Sequence, residues 1–213
     1  YKGIPFLYTN NEDYYLARIN EIANGHGMVT SPYFYEYKNS SSFVPPVGEY
    51  FYYALSLFSF LSLPKTLVLA KFLFPAVLFL LIFALIKKML PENSLSGKLT
   101  AIMVGLFVTL GYDLIDYHLL ITRLGGYDGE ILSIWTRPVN PITGALILFS
   151  FLILLLSIIK EKENRYTPFI AGILLALSVG YIFTFGVASA ILGTLAIVFL
   201  AKKNFKILVI LIQ

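Results

Sequence analysis

The chain has 213 residues, of which 58% are hydrophobic and 13% are charged, and its mean hydropathy is +0.78. Soluble globular domains carry about 25% charged residues, so this composition is typical of an integral membrane protein. The chain has no cysteine, which excludes disulfides, thiolate metal sites and cysteine nucleophiles. The net charge of +4 comes from short basic loops rather than from a basic–aromatic stripe, so no nucleic-acid partner is predicted.

The first polar segment, "NNEDYYLARINEIANGHG" at 10–27, predicts an amphipathic helix. Asn10 or Asn11 caps it, and Glu12 and Asp13 lie in its first turn, where acids favour the helix dipole. Its apolar face has helical spacing and the helix stops at Gly25. Two acids here are unexpected in so apolar a chain.

The segment 49–63, "EYFYYALSLFSFLSL", is short and rich in Tyr and Ser. We interpret it as a juxtamembrane helix lying at the outer interface, where aromatic residues are favoured. Residues 1–65 then form one external loop. The alternative, a short spanning helix, would place Lys87 and Lys88 outside the cell unless the topology changed elsewhere.

The rest of the chain, 66–213, predicts a transmembrane helical region, because a spanning helix needs about 20 apolar residues. The run at 168–201 is too long for one helix and predicts a hairpin that turns near 181–186. The predicted spans lie at 66–86, 98–115, 141–159, 168–183, 186–201 and from 207 onward. The fold class is therefore all-α, a polytopic helical bundle. Since the chain begins with Tyr and ends inside an apolar run, we expect a fragment of a longer protein.

Lys-rich loops set the predicted orientation. The loops at 87–98, 160–165 and 202–206 are short and basic, and such loops face the cytoplasm. The loop from about 116 to 140 then lies outside, as does the first polar helix. The expected location is the plasma membrane of a prokaryote, with the polar residues on the extracytoplasmic side.

The second external loop contains Arg123, Asp128, Glu130 and Arg137. Carboxylates bind divalent cations or accept protons, and guanidinium groups bind phosphate through two parallel hydrogen bonds. This set suits a phosphorylated lipid whose head group lies at the outer interface. A simpler interpretation is that the two acids lie in a solvated turn and that the two arginines are anchors at the membrane interface. Basic anchors, however, favour the cytoplasmic side.

The acidic pair followed by "YYLARI" and "EI", then "PPVGEYFYYALSLF" and membrane spans, resembles the GT-C glycosyltransferases. The resemblance covers roughly 8–90. In that family the first external loop carries the catalytic acid in an acidic pair, and the sugar comes from a polyprenyl-phosphate carrier. Asn11 departs from the pattern, because it stands where the first acid is usual.

A second stretch, "GGYDGEILSIW", resembles the acid-x-acid loop of oligosaccharyltransferase catalytic subunits, which binds the metal. The resemblance implies that Asp128 and Glu130 hold Mg²⁺ or Mn²⁺ as hard oxygen donors. The acceptor-binding domain of those enzymes has no counterpart in this sequence, so the acceptor is undefined.

Together these resemblances imply a membrane glycosyltransferase whose partners are a polyprenyl-phosphate-linked sugar, membrane lipids and an unknown acceptor. Asp13 is the expected general base, and Glu12 the supporting acid or the base in its place. The expected ligands of the lipid phosphate are Arg137, Arg123 and Lys38. The alternatives are an oligosaccharyltransferase-like catalytic subunit and, from other classes, a transporter or a non-catalytic membrane subunit.

Overall fold

The computed structural model describes residues 12–29, 44–90, 95–115, 134–161, 166–205, 207 and 209. Within these ranges the chain is helical and contains no strand, so the predicted all-α bundle is confirmed. The described α-helices are α1 (Glu12–Ala23), α2 (Val47–Ser59), α3 (Leu63–Met89), α4 (Leu95–Ile115), α5 (Ile142–Glu161), α6 (Tyr166–Leu177) and α7 (Ile182–Ala201). Short 3-10 helices lie at Ile134–Thr136 and Ser178–Gly180.

The long apolar run at 168–201 forms two helices, but it breaks earlier than the predicted turn at 181–186. The break is the 3-10 helix Ser178–Gly180 and the extended residue Tyr181. The Ser178 hydroxyl donates a hydrogen bond to the Leu175 carbonyl at 2.6 Å, which satisfies a backbone acceptor near the end of α6. The helix predicted from 207 onward lies almost entirely outside the described residues.

Three of the described helices are long and apolar enough to cross a membrane, namely α3, α5 and α7. The apolar stretches Leu95–Leu110 and Tyr166–Gly180 are shorter. These features are consistent with an integral membrane protein. Half of the apolar window in α5 is buried, against 11% in α7, so α7 lies at the edge of the bundle with a broad apolar face available to lipid.

The core is built around α3, which packs against both α4 and α5. Leu78 and Ile82 of α3 are completely or almost completely buried. A second cluster joins Phe151 of α5 to Ala171 of α6 and Ala188 of α7. Within a bilayer such contacts stabilise the bundle through close packing, because lipid tails are as apolar as the side chains.

The two ends of the bundle differ in character. At one end the Lys160 ammonium donates a hydrogen bond to the Lys88 carbonyl at 2.5 Å, which brings two Lys-rich loops together. At the other end α2, the start of α5 and the break between α6 and α7 meet, since Gly180 approaches Val47 and Gly48 approaches Val139. Helix α7 runs from this second end for 20 residues, about 30 Å, toward its own basic loop.

The first prediction concerns this polarity. The protein contains no cysteine, so single cysteines at exposed positions report the side of the membrane directly. In intact cells, a membrane-impermeant maleimide should label Asn24→Cys, beyond α1, and should label Met89→Cys, at the Lys-rich end, only after permeabilisation. Labelling of Met89→Cys in intact cells would contradict the orientation derived from the basic loops.

Candidate functional site

Helix α1 is held to α2 by an ion pair between Arg18 and Glu49. The Arg18 Nε donates to Glu49 Oε1 at 2.5 Å, and the two side chains are only 13% and 5% exposed. The guanidinium also donates from Nη1 to the Tyr14 hydroxyl at 3.4 Å, and its carbon lies 5.6 Å from the centre of the Tyr14 ring. A shielded pair of this kind fixes geometry, because either charge alone would be desolvated without compensation.

A second ion pair joins α1 to α3. The Lys71 ammonium donates to Glu12 Oε1, and the Lys71 side chain is 4% exposed. A lysine within an apolar helix is costly unless its charge is compensated. Glu12 supplies that compensation, which accounts for the one charge in the apolar interior of the segment predicted at 66–86.

Apolar contacts complete the docking of α1. Ile19 and Ile22 are buried on the inner face of the helix, as its periodicity predicts. Ile19 belongs to the same core cluster as Tyr52 of α2 and Phe74 of α3, whose rings meet edge to face at 5.0 Å. The helix is therefore anchored by charge at Glu12 and Arg18 and by the buried residues Ile19 and Ile22.

Two close backbone contacts bring the other elements of the site together. A Cβ added at Gly48 would lie 2.5 Å from Val139 Cγ1, and one added at Gly180 would lie 2.6 Å from Val47 Cβ. Only glycine permits approaches this close. Val139 itself has φ +64°, which is a strained conformation for a β-branched residue. Such strain costs about 1–3 kcal/mol and persists only where the surrounding structure holds the backbone in place, which is common at functional sites.

A cavity of about 390 Å³ lies where these elements meet. Its lining combines three tyrosines with polar and apolar side chains. Its described lining residues are Tyr14, Tyr15, Arg18, Val44, Pro45, Glu49, Asn140, Gly180, Tyr181 and Ile182. This volume is within the usual range of roughly 300–1,000 Å³ for small-molecule sites. The cavity lies at the end of the bundle opposite the contact between Lys88 and Lys160.

The cavity is polar, and the opposite charges of Arg18 and Glu49 in its lining compensate each other. Burial, followed by the nearby Glu49 carboxylate, raises the pKa of Tyr15, although a hydrogen bond with the Asn140 side chain acts in the opposite direction. Burial alone would lower the pKa of Arg18, but Glu49 and Tyr14 outweigh it and raise the pKa above the ordinary value. At neutral pH the Tyr15 phenol is therefore uncharged, and it lies near the ion pair of Arg18 and Glu49.

None of the described residues that the sequence predicts for catalysis or phosphate binding lines the cavity. Glu12 faces α3, whereas Asp13, in the same turn, is exposed and does not line the cavity. Arg137 is exposed and follows the 3-10 helix Ile134–Thr136, its backbone N–H donating to the Ile134 carbonyl at 3.4 Å. The predicted residues Lys38, Arg123, Asp128 and Glu130 lie outside the described residues. Among the residues that the structure describes, no group of three or more His, Asp or Glu is placed to hold a metal ion.

The cavity contains residues that the sequence analysis did not select. Arg18, Glu49 and Asn140 line it together with three tyrosines. One signal was available, since Tyr14 and Arg18 are four residues apart on a helix and must share a face. The pairing of Arg18 with Glu49 links positions 31 residues apart, and no local pattern indicates it.

Comparison of the chain with protein-family models, curated proteins and solved structures finds no match in any of the three. The function is therefore inferred from the residues themselves.

The second prediction concerns the close contact that shapes the cavity. Gly48→Ala should lower the free energy of unfolding by about 1–3 kcal/mol, because the new methyl group overlaps Val139 and Thr143. Gly172→Ala is the matched control, since a Cβ there meets nothing within 4 Å and alanine favours a helix over glycine by up to about 1 kcal/mol. Thermal unfolding in detergent compares them. Equal stability of the two variants would mean that α2 does not press on Val139.

Proposed function

We propose that this chain belongs to a membrane glycosyltransferase that moves a sugar from a polyprenyl-phosphate donor to an acceptor on the extracytoplasmic side. The observation that supports the proposal best is the polar cavity walled by α1, α2, the start of α5 and the α6–α7 break. A lipid-linked substrate keeps its chain in the bilayer and needs a polar site at the surface. This cavity lies at the ends of apolar helices, opposite the basic loops.

The proposed reaction is a single displacement with inversion at the anomeric carbon. A carboxylate removes the proton of the acceptor hydroxyl as its oxygen bonds to that carbon. The bond from the anomeric carbon to the phosphate oxygen breaks, and polyprenyl phosphate leaves with the electron pair. Charge develops on the phosphate, so cationic groups around it favour the transition state.

The two carboxylates of α1 are assigned different roles. Glu12 is ion-paired with Lys71, which holds its carboxylate against α3 and supports a positioning role. Asp13 is exposed and directly precedes Tyr14 of the cavity lining, and we assign it as the general base. The short Asp side chain also leaves the carboxylate with few rotamers.

The phosphate is assigned to Arg137, Arg123 and Lys38. Arg137 is exposed four residues before Pro141, at the end of the bundle that holds the cavity, and a guanidinium suits phosphate through bidentate hydrogen bonds. Asp128 and Glu130 are the proposed ligands of Mg²⁺ or Mn²⁺, which would add positive charge beside the phosphate.

The ion pair of Lys71 also bears on the transport alternative. A transporter places polar groups near the middle of the bilayer to meet its substrate. Lys71 is engaged by Glu12 of α1, so its presence in α3 is accounted for by the docking of that helix.

The third prediction tests the assignment of the base. Asp13→Asn keeps the shape of the side chain and removes its basicity, so the full-length enzyme should bind donor normally and transfer sugar about 10²–10⁴-fold more slowly. Glu12→Gln is the paired variant, which should lower activity through displacement of α1. Transfer from a radiolabelled polyprenyl-phosphate sugar is measured, with donor binding as a separate readout.

The activities of the two variants show which carboxylate of α1 is the general base. Full turnover by Asp13→Asn together with loss of turnover by Glu12→Gln would exchange the two roles. Full activity of both variants would mean that α1 takes no part in catalysis, and this result would contradict the glycosyltransferase proposal.

A further inference from the structure

We infer that the cavity holds the sugar ring of the donor rather than its phosphate, and that the Arg18–Glu49 pair restricts it to uncharged sugars. The inference rests on the proposed function and adds to it the class of sugar. It depends on three features of the cavity: its aromatic faces, its uncharged hydrogen-bonding groups and its balanced charge.

The lining groups match the surface of a sugar ring. A pyranose or furanose presents apolar C–H faces surrounded by hydroxyl groups that both donate and accept hydrogen bonds. Tyr14, Tyr15 and Tyr181 offer flat apolar rings with hydroxyl groups at their edges. The Asn140 amide supplies donors and an acceptor in one plane. The remaining side chains of the lining, Val44, Pro45 and Ile182, are apolar.

The charge balance argues against a phosphate in the same space. Among the described lining residues the formal charges are one positive, on Arg18, and one negative, on Glu49. These two groups lie 2.5 Å apart and compensate each other. A phosphate would meet the Glu49 carboxylate and would have no uncompensated cation to balance it. The phosphate is therefore expected outside the cavity, and Arg137 is exposed at the same end of the bundle.

The same reasoning distinguishes between sugars. A uronic acid would place a carboxylate, and an amino sugar an ammonium, beside the buried Arg18–Glu49 pair, whose charges already compensate each other. Each would lose hydration without gaining an ionic partner, and such desolvation opposes binding. We therefore expect the cavity to bind an uncharged hexose or pentose at least about tenfold more tightly than its charged counterpart, a difference of about 1.4 kcal/mol.

Free methyl glycosides test this without any need for turnover. The full chain in nanodiscs is titrated with uncharged methyl glycosides of several hexoses and pentoses, and binding is measured by saturation-transfer NMR. For the hexose that binds, the methyl uronide and the methyl 2-amino-2-deoxy glycoside of the same configuration are compared. The uncharged glycoside should bind at least tenfold more tightly than either.

Substitutions in the ion pair should move this selectivity in opposite directions. Glu49→Gln leaves a positive charge on Arg18 and should improve binding of the uronide at least tenfold. Arg18→Gln leaves a negative charge on Glu49 and should improve binding of the amino glycoside by a similar factor. The double variant Arg18→Gln/Glu49→Gln restores neutrality and should again prefer the uncharged ligand, which also provides a test if a single variant does not fold.

Aromatic positions provide the location control. Tyr181→Ala removes a ring from the cavity and should weaken binding of the uncharged glycoside at least tenfold. Phe169→Ala removes a 69% exposed ring from α6 that does not line the cavity, and it should have no effect.

Two results would overturn the inference. One is that charged and uncharged glycosides bind equally, or that none of them binds. The other is that Tyr181→Ala does not weaken the binding of the uncharged glycoside. Failure of the proposed function is distinct. If the enzyme transfers sugar from polyprenyl phosphate but accepts a uronic acid equally well, the proposed function stands and the selectivity for uncharged sugars is wrong. If the protein binds uncharged glycosides in the cavity but transfers no sugar, the sugar-binding site stands and the proposed transferase function is wrong.

Discussion

The site depends on the two ion pairs that dock α1 onto the bundle. Three of the residues lining the cavity, Tyr14, Tyr15 and Arg18, come from this helix, so without its docking the cavity loses a wall. Glu12 binds Lys71 near one end of α1, and Arg18 binds Glu49 six residues further along, about 9 Å away on a helix. Two fixed points define both the direction and the rotation of the helix. Pairs of this kind contribute more to a unique arrangement than to net stability.

The walls contributed by α2 and α5 are shaped by backbone contacts rather than by charge. Gly48 lets α2 approach Val139 closely, and Val139 holds a left-handed conformation that is unfavourable for valine. Tyr52 is 2% exposed and its hydroxyl makes a hydrogen bond with the Val139 backbone; burial raises the pKa of this hydroxyl above the ordinary value. A strained residue and a buried hydroxyl therefore lie next to Asn140, which lines the cavity. Such a distribution is expected of a site that the rest of the fold supports.

The helices could be predicted because each depends on local information. Apolar runs, helical spacing and the position of Gly and Pro are sufficient to predict α1, α2 and the long apolar helices to within a few residues. The break at Ser178–Gly180 was placed too late, because the polar and aromatic residues after it resemble a turn more than the break itself does. The pairing of Arg18 with Glu49 could not be predicted, since it joins two helices separated by a long connection. Lys71 did give a usable signal, because a charge in an apolar helix requires a partner, but the sequence does not say which acid supplies it.

The docking of α1 can be measured through one buried side chain. Ile19 is 1% exposed, and Ile19→Cys would be the single cysteine of the protein. On this background, the rate of maleimide labelling is compared among the parent, Arg18→Gln, Glu49→Gln and the double variant. If the ion pair helps to dock α1, each single change should raise the rate about tenfold, although the Glu12–Lys71 pair and the buried isoleucines still keep the helix docked most of the time. The double change should raise the rate no further than the larger single effect, which corresponds to a coupling of about 1.4 kcal/mol. Single changes without effect, or a double variant whose rate is the product of the two single effects, would contradict the account.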